Sequence, residues 1–284
     1  YLTMIIPARW YSGGKGLDEF RSKMLNDTRI KEIHDFPETA DCFPGQNIRG
    51  GVCYFLWDKN YKGQTRVVNY KNSKPISDLT RDLKLSDKDI FIRYNNAINI
   101  LKKIQINNED SFDKIVSSRK PFGLPTNYSG YNLNKTEKFN IKLFWFGKEG
   151  YINSNQAEIN RNLINKFKVF VAKASPGGDT YPHQVISEPL IGSPNSCCTE
   201  TYIMIGPFEN KQICENVISY MKTKFFRFLM ILIKNTQDVP KRVYNFVPIQ
   251  DFNKKWSDEK LFKKYNINQK EIDFINSLIK PMNE

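Results

Sequence analysis

The first 60 residues contain three segments with strand character and one amphipathic segment. The apolar runs 2–10 and 51–57 predict buried strands, and residues 30–36 between them predict another strand. A helix between residues 10 and 30 would place four apolar side chains on one face, namely Leu17, Phe20, Met24 and Leu25. This order of elements is typical of an α/β domain, but three strands cannot close a doubly wound sheet. We therefore expect the rest of this domain to precede Tyr1 in a longer polypeptide.

The pattern changes after residue 75. Residues 89–104 have helical periodicity and predict a helix that bridges two domains. Short runs with β character follow between clusters of Gly, Pro and Asn, and they cover residues 113–117, 141–146, 167–172, 184–187 and 199–205. This middle region is therefore predicted to be mostly β.

The last third of the chain predicts helices. A long helix over residues 211–234 begins after Asn210, a good N-cap. Ser257 can cap a helix in the tail, and Asn268 with Glu271 forms a capping-box pattern at the start of the last one. We divide the chain into four segments on this basis: residues 1–75, a helical linker over 76–110, residues 111–245, and a helical tail over 246–284.

The chain is strongly basic, with 43 Lys and Arg against 30 Asp and Glu and a net charge of +13. Three stretches concentrate the cations and interleave them with aromatic residues. They are residues 114–148, 161–173 and 211–242. Cations that contact phosphates, with aromatic and amide side chains that reach base edges, are typical of a DNA-reading surface. A solvated face over an ordinary core would have the same composition, and the residues alone leave both interpretations open.

Several familiar sites are absent from the sequence. The glycine-rich loop SGGKG at 12–16 lacks the spacing of a phosphate loop, and neither His34 nor His183 has partners at the spacing of a catalytic triad. Five cysteines without a CxxC pair argue against a disulfide framework or a zinc site, and they predict a reducing, cytoplasmic compartment. The most apolar run, residues 225–233, is too short to cross a membrane.

Long strings of the sequence resemble a known family. IIPARWYSGGKGLDEFR, IKEIHDFPE and DCFPGQNIRGGVCYFLWDK resemble the end of the catalytic domain of gamma-class, TaqI-like N6-adenine DNA methyltransferases of type II restriction–modification proteins. SSRKPFGLPTN, INKFKVFVAKASPGG and CCTETYIMIGPF are similar to the target-recognition region of that group. The resemblance covers nearly the whole chain.

The resemblance implies an α+β fold with a definite order of parts. The C-terminal strands of a doubly wound α/β methyltransferase domain, residues 1–75, would be followed by a mostly β target-recognition domain with a long helix and by the helical tail. It also implies S-adenosylmethionine as the cofactor of the intact enzyme. The Gly-rich cofactor turn and the Asn-Pro-Pro-aromatic motif of the family do not occur in this chain, since SPGG at 175–178 lies in the wrong context. Both are expected upstream of Tyr1, so this fragment has no catalytic residue and is expected to be inactive alone.

One residue role carries over from the family. In TaqI-like enzymes an aromatic residue in a Phe-Pro turn stacks on the extruded adenine, and its match here is Phe43. Extrusion of a nucleotide costs a few kcal/mol, and stacking on an aromatic face returns about 1–3 kcal/mol. The alternative is that Phe43 only covers the end of the sheet.

The expected partners are double-stranded DNA and the remainder of the methyltransferase or restriction polypeptide, without a membrane. Basic residues followed by Gly- or Asn-containing loops allow close approach to a DNA backbone. On this reasoning we predict DNA contacts by Arg119, Lys120, Asn127, Lys168, Lys173, Gly177 and Gly178. Two other functions stay open: a stand-alone specificity module akin to the DNA-reading subunits of type I systems, and a binder of RNA or other polyanions with no site preference.

Overall fold

The computed structural model describes residues 1–14, 16–85, 88–175 and 182–282. Within these ranges the strands form one five-stranded sheet near the N-terminus and two three-stranded sheets further along the chain. The remaining regular elements are mainly helices that pack against one of the smaller sheets. The fold is therefore mixed α and β with open sheets.

The five-stranded sheet has the order β1-β3-β2-β4-β5. Its strands and the one helix among them are β1 (Leu2–Pro7), α1 (Asp18–Asn26), β2 (Ile30–Phe36), β3 (Val52–Trp57), β4 (Thr65–Lys71) and β5 (Lys74–Arg81). The three predicted strands and the predicted helix are confirmed. Among the described strands of this sheet, only β2 and β4 pair in parallel.

The hairpin of β4 and β5 was not predicted from the sequence. Its two-residue turn, Asn72 and Ser73, has left-handed backbone angles at both positions, with φ of +51° and +58°. This geometry suits the right-handed twist of a hairpin, but the pair Asn-Ser is a weaker signal than Asn-Gly. Pro75 is tolerated because β5 is the edge strand. The sheet thus continues across the predicted boundary at residue 75 to Arg81.

The two smaller sheets lie between residues 141 and 208. One has the order β10-β6-β7 and the other β11-β8-β9. Their strands are β6 (Ile141–Trp145), β7 (Lys148–Ile152), β8 (Phe167–Ala172), β9 (Leu190–Gly192), β10 (Ser196–Cys198) and β11 (Tyr202–Phe208). Two of the predicted strands are wrong. Residues 112–115 form a 3-10 turn, and residues 184–187 have no strand structure. Both segments bury apolar side chains, such as Phe112 and Ile186, although their backbone is not a strand. A short apolar run in the sequence is the same in both cases, so it cannot show which of the two structures forms.

The predicted long helix over 211–234 is two helices, α3 (Lys211–Lys222) and α4 (Lys224–Ile231). Thr223 has an extended backbone and separates them; its Oγ1 accepts the Phe226 amide at 3.1 Å and donates to the Tyr220 carbonyl at 2.7 Å. Thr223 therefore ends α3 and caps α4. The apolar periodicity continues across the break, so the pattern alone did not reveal it.

One hydrophobic core joins the predicted linker, residues 111–245 and the tail. The predicted linker helix is shorter than expected, α2 (Ala97–Gln105), and the tail contains α5 (Asp258–Lys264) and α6 (Gln269–Leu278). The caps of both tail helices at Ser257 and Asn268 are confirmed. Side chains of α2, β8, β11, α3, α4, α5 and α6 share this core. The segments 76–110 and 246–284 are consequently not separate packing units.

Candidate nucleic-acid interface

A cleft of about 580 Å³ lies between the five-stranded sheet unit and the helical core. One wall is formed by residues around Tyr11, residues 37–40 and residues 46–50, and the other by residues 182–185 and 231–237. Two hydrogen bonds join the walls at its base: Ser12 Oγ donates to the Ile233 carbonyl at 2.5 Å, and Asn235 Nδ2 donates to the Arg9 carbonyl at 3.0 Å. Among the described residues, four cations line the cleft, namely Arg49, Arg93, Lys234 and Lys280, against one carboxylate, Glu38. This excess of positive charge suits a polyanion.

Phe43 lies on the turn between the two segments that line the sheet side of this cleft. Its amide donates to the Thr39 carbonyl at 2.7 Å, and its carbonyl accepts the Gln46 amide at 3.1 Å. Pro44 and Gly45 occupy the two central positions, with a φ of +80° at Gly45. Proline followed by a residue of positive φ is the arrangement of a type II turn. The side chain of Phe43 is 37% exposed, a high value for a phenylalanine.

The base of the Phe43 turn is fixed by hydrogen bonds and by a close backbone approach. Thr39 Oγ1 donates to the Ile48 carbonyl at 3.0 Å and accepts its amide at 3.2 Å. Gly51 has a φ of +76°, and a Cβ there would lie 2.1 Å from the Phe36 carbonyl oxygen. Any other residue at this position would push the turn away from β2. The turn is thus anchored at both ends while its tip is exposed.

A buried ion pair connects the same loop to the sheet. Asp35 on β2 is fully buried, and Arg93 Nε donates to its carboxylate at 3.0 Å while Arg93 Nη2 donates to the Gly50 carbonyl. Burial raises the pKa of Asp35, and the charge of Arg93 opposes that rise. The Arg93 guanidinium also lies over the ring of Tyr11 at 5.1 Å. Sequence analysis missed Asp35 and Arg93, because nothing in their local sequence shows that residues 58 positions apart meet.

Arg119 and Lys173, two of the predicted DNA contacts, meet at one carboxylate. Arg119 Nε and Lys173 Nζ both donate to Oε1 of Glu200, the second of these at 2.8 Å. The Glu200 side chain is only 3% exposed, whereas that of Arg119 is 71% exposed. Burial opposes ionisation of Glu200, but the hydrogen bonds and charges of Arg119 and Lys173 outweigh it and lower the pKa of Glu200. Sequence analysis did not single out Glu200.

Lys120 and Asn127 lie on the loops between Arg119 and β6. Lys120 is half-buried with a φ of +56°, and Asn127 is exposed. Lys114, Arg119 and Lys120 line a second pocket of about 370 Å³, together with Ser117 and Ser118. Gly177 and Gly178 lie outside the described residues.

Lys168 has a different role from the one predicted. It is fully buried on β8, and its Nζ donates to three backbone carbonyls, those of Leu163, Ile164 and Lys166, at 2.7–3.0 Å. Burial lowers the pKa of this ammonium to about 8. Because all three of its donors are used inside the protein, Lys168 is not placed to contact a phosphate, and we exclude it from the interface.

The basic residues of the stretch 211–234 also divide into interior and surface groups. Arg227 is fully buried, so it cannot contact DNA. Lys234 lines the cleft, where its Nζ donates to Ser175 Oγ at 2.9 Å. Lys224 donates to Asn276 Oδ1 at 2.6 Å. Of these cations, Lys234 alone borders the candidate interface.

No group of three or more His, Cys, Asp or Glu side chains within the described residues is arranged to hold a metal ion. No helix in the described part of the chain has the length and apolar character needed to cross a membrane.

The N-terminal part of the chain is similar in sequence to restriction–modification methylases. Residues 1–43 match the family described as Eco57I restriction-modification methylase. An uncharacterized adenine-specific methylase of Mycoplasma pneumoniae is 37% identical over 119 residues, which are 41% of this chain and 27% of that protein. The chain thus spans about a quarter of the length of this curated relative. The matched family segment ends at Phe43.

Two solved structures of restriction–modification enzymes are also similar to the chain, each at 10% sequence identity. The type IIG restriction endonuclease BpuSI aligns with a TM-score of 0.37 over 94% of this chain and 42% of its own. The type IIL enzyme MmeI, in complex with DNA, aligns with a TM-score of 0.43 over 99% of this chain and 47% of its own.

Proposed function

We propose that this chain is the target-recognition end of a site-specific N6-adenine DNA methyltransferase of a gamma-class, TaqI-like restriction–modification protein. The observation that carries the proposal is the position of Phe43. It lies at the tip of an anchored turn, beside a basic cleft, in the stretch that matches methylases. The intact enzyme would transfer a methyl group from S-adenosylmethionine to adenine in a specific duplex site. This chain would supply site recognition and one wall of the pocket for the extruded base.

The residues of this chain do not fit the methyl donor. Trp10 and Tyr11, in the turn after β1, have side chains that are buried in the sheet core, and the Gly-rich cofactor turn of the family does not occur in the sequence. We therefore assign no residue of the chain to the cofactor and derive no methyl-transfer step.

The roles of the chain's own residues follow from their positions. Arg49, Lys234 and Lys280 on the walls of the cleft would contact phosphates and hold the duplex against the turn. Phe43 would stack on the extruded adenine. The type II turn would hold the ring in place for this contact. Arg119, Lys120, Asn127 and Lys173 would contact the duplex from the recognition region. Gly177 and Gly178 belong to the proposed contacts by sequence alone.

The proposal predicts binding of duplex DNA by the purified chain. We expect affinity for a duplex to fall linearly with salt on logarithmic axes, because phosphate contacts release counterions. At salt concentrations that remove most non-specific binding, a pool of random duplexes should retain a bound fraction, whereas single strands of the same composition should not. Fluorescence anisotropy with both substrates across a salt series measures this. Absence of duplex binding at low salt, or equal affinity for both substrates throughout, would contradict the proposal.

A second prediction concerns Phe43 in the intact enzyme. Phe43→Ala should leave duplex affinity nearly unchanged, because the phosphate contacts remain. It should make extrusion of the target base less favourable by about 1–3 kcal/mol through the lost stacking. We therefore expect reduced emission from 2-aminopurine placed at the target position. Phe20→Ala is the matched control, since Phe20 is 40% exposed on α1 and lines neither pocket. Equal emission from wild type and Phe43→Ala would show that Phe43 only covers the sheet.

A further inference from the structure

In the cluster of Arg119, Glu200 and Lys173, an exposed arginine side chain is held by a buried carboxylate. Arg119 is mostly exposed, yet its Nε is held by a carboxylate that is itself almost completely buried. Glu200 is fixed in turn because its amide donates to the Leu124 carbonyl at 2.9 Å and Lys173 Nζ binds the same Oε1. Among the described residues, no acceptor contacts the two terminal nitrogens of Arg119. The guanidinium therefore presents its outer edge to solvent in a fixed orientation.

A fixed orientation matters for reading a base more than for binding a phosphate. Phosphate oxygens accept hydrogen bonds along the whole backbone, so a flexible cation serves that purpose. A guanine presents two acceptors, O6 and N7, at one place in the major groove, and the two terminal nitrogens of an arginine match them. An arginine held before binding also loses less conformational entropy on binding.

The carboxylate lowers the positive charge of the surface at the same point. Glu200 partly neutralises Arg119 and Lys173, and charge alone governs binding that ignores sequence. A residue that serves only general attraction to DNA would not be paired in this way. Lys120, which borders the adjacent 370 Å³ pocket, has no acidic partner among the described residues and is suited to a phosphate.

We infer that Glu200 is a positioning residue that holds Arg119 to read a guanine in the target site. This inference rests on the proposed function and adds to it one specificity-determining pair. Glu200 touches no base itself. It would favour the target sequence in two ways: it orients Arg119, and its negative charge reduces the affinity for duplexes that lack the target sequence.

The test is selection of bound duplexes from a randomised pool by the full chain, followed by sequencing. Wild type should enrich a motif with a guanine at one position. Arg119→Lys and Glu200→Gln should each reduce the preference at that same position by about 10-fold or more, with the other positions unchanged. Glu200→Gln should in addition bind a fixed non-target duplex more tightly and with a steeper salt dependence, because one negative charge is lost. The lost charge alone would tighten non-specific binding, so the reduced preference at that one position is the result that a purely structural role of Glu200 would not give.

Asp27→Asn is the matched control. Asp27 binds Arg29 Nε at 2.8 Å on the sheet unit, so the variant breaks an arginine–carboxylate pair outside the recognition region and should enrich the wild-type motif. If both test variants enrich the wild-type motif, or if Arg119→Lys weakens binding to all sequences equally, the inference is wrong while the proposed function stands. If wild type enriches no motif, the proposed function fails and the inference fails with it.

Discussion

Replacing Arg227 with methionine is expected to lower the free energy of unfolding by at least about 3 kcal/mol. The guanidinium is fully buried and donates to four backbone carbonyls, those of Thr223, Lys222, Gln184 and Lys280, at 2.7–3.2 Å. Two of these carbonyls end α3, one belongs to the cleft wall and one to the C-terminal segment. Methionine fills similar space but removes the side-chain donor from all four acceptors; the Thr223 carbonyl keeps the backbone amide of residue 227 at 3.3 Å, and a buried polar group left unsatisfied costs about 1–3 kcal/mol.

Denaturant unfolding of wild type and variant measures the Arg227 effect. Arg66→Met is the control, because Arg66 is about half exposed and pairs with Asp78 on the sheet surface, where an ion pair contributes at most about 1 kcal/mol. Burial also lowers the pKa of Arg227 to about 10, so the side chain stays charged at neutral pH and its donors remain available. If Arg227→Met lowers the free energy of unfolding no more than Arg66→Met does, the four hydrogen bonds of Arg227 do not hold the end of α3, the cleft wall and the C-terminal segment together.

Replacing Lys168 with methionine is expected to cost about 2–4 kcal/mol of stability. The ammonium of Lys168 satisfies three carbonyls of the turn before β8, and it lies about 6 Å from the ring centres of Phe122 and Phe170. Without it, residues 163–166 would have to open to water or leave these carbonyls unpaired in the core of the β10-β6-β7 sheet. The loss should appear as a lower midpoint of thermal unfolding.

Lys166→Met gives a direct comparison for Lys168, because Lys166 is exposed two residues away in the same basic stretch. Its replacement should change stability by less than about 0.5 kcal/mol and should slightly weaken duplex binding. The Lys168 variant should instead lose stability, and at temperatures where it stays folded it should bind duplex as wild type does. If a fully folded Lys168→Met protein binds duplex more weakly than wild type, Lys168 contacts DNA after all and its exclusion from the interface is wrong.

The regular elements with strong local signals were predictable. β1 and β3 are apolar runs, and the caps at Asn210, Ser257 and Asn268 are formed by side chains that accept amides three residues away. The turn at Phe43 was predictable for the same reason, since Pro44 and Gly45 fix its backbone without outside help. The role of Phe43 came from resemblance, and no local pattern would have suggested it.

The break between α3 and α4 shows where local signals fail. No Gly or Pro marks it. Thr223 leaves the helix because Asp258, from the tail, accepts the amides of Lys224 and Phe225 at 3.0 and 2.8 Å, and because Arg227 takes the carbonyls at the end of α3. Arg227 is a local partner, but Asp258 becomes available only after the tail packs against α4. The hairpin of β4 and β5 was missed for a simpler reason, since its turn lacks glycine.

By itself, the sequence determined the apolar strands, the capped helices, the excess of positive charge and the turn that exposes Phe43, because each depends on residues within a few positions of one another. The tertiary structure decided which cations face solvent. Lys168 and Arg227 are in the interior, Lys234 lies in the cleft, and Arg119 and Lys173 share Glu200. The burial and the ion pairing of these cations depend on contacts between residues far apart in the chain, such as Arg119 with Glu200. The pattern of neighbouring residues therefore could not predict them.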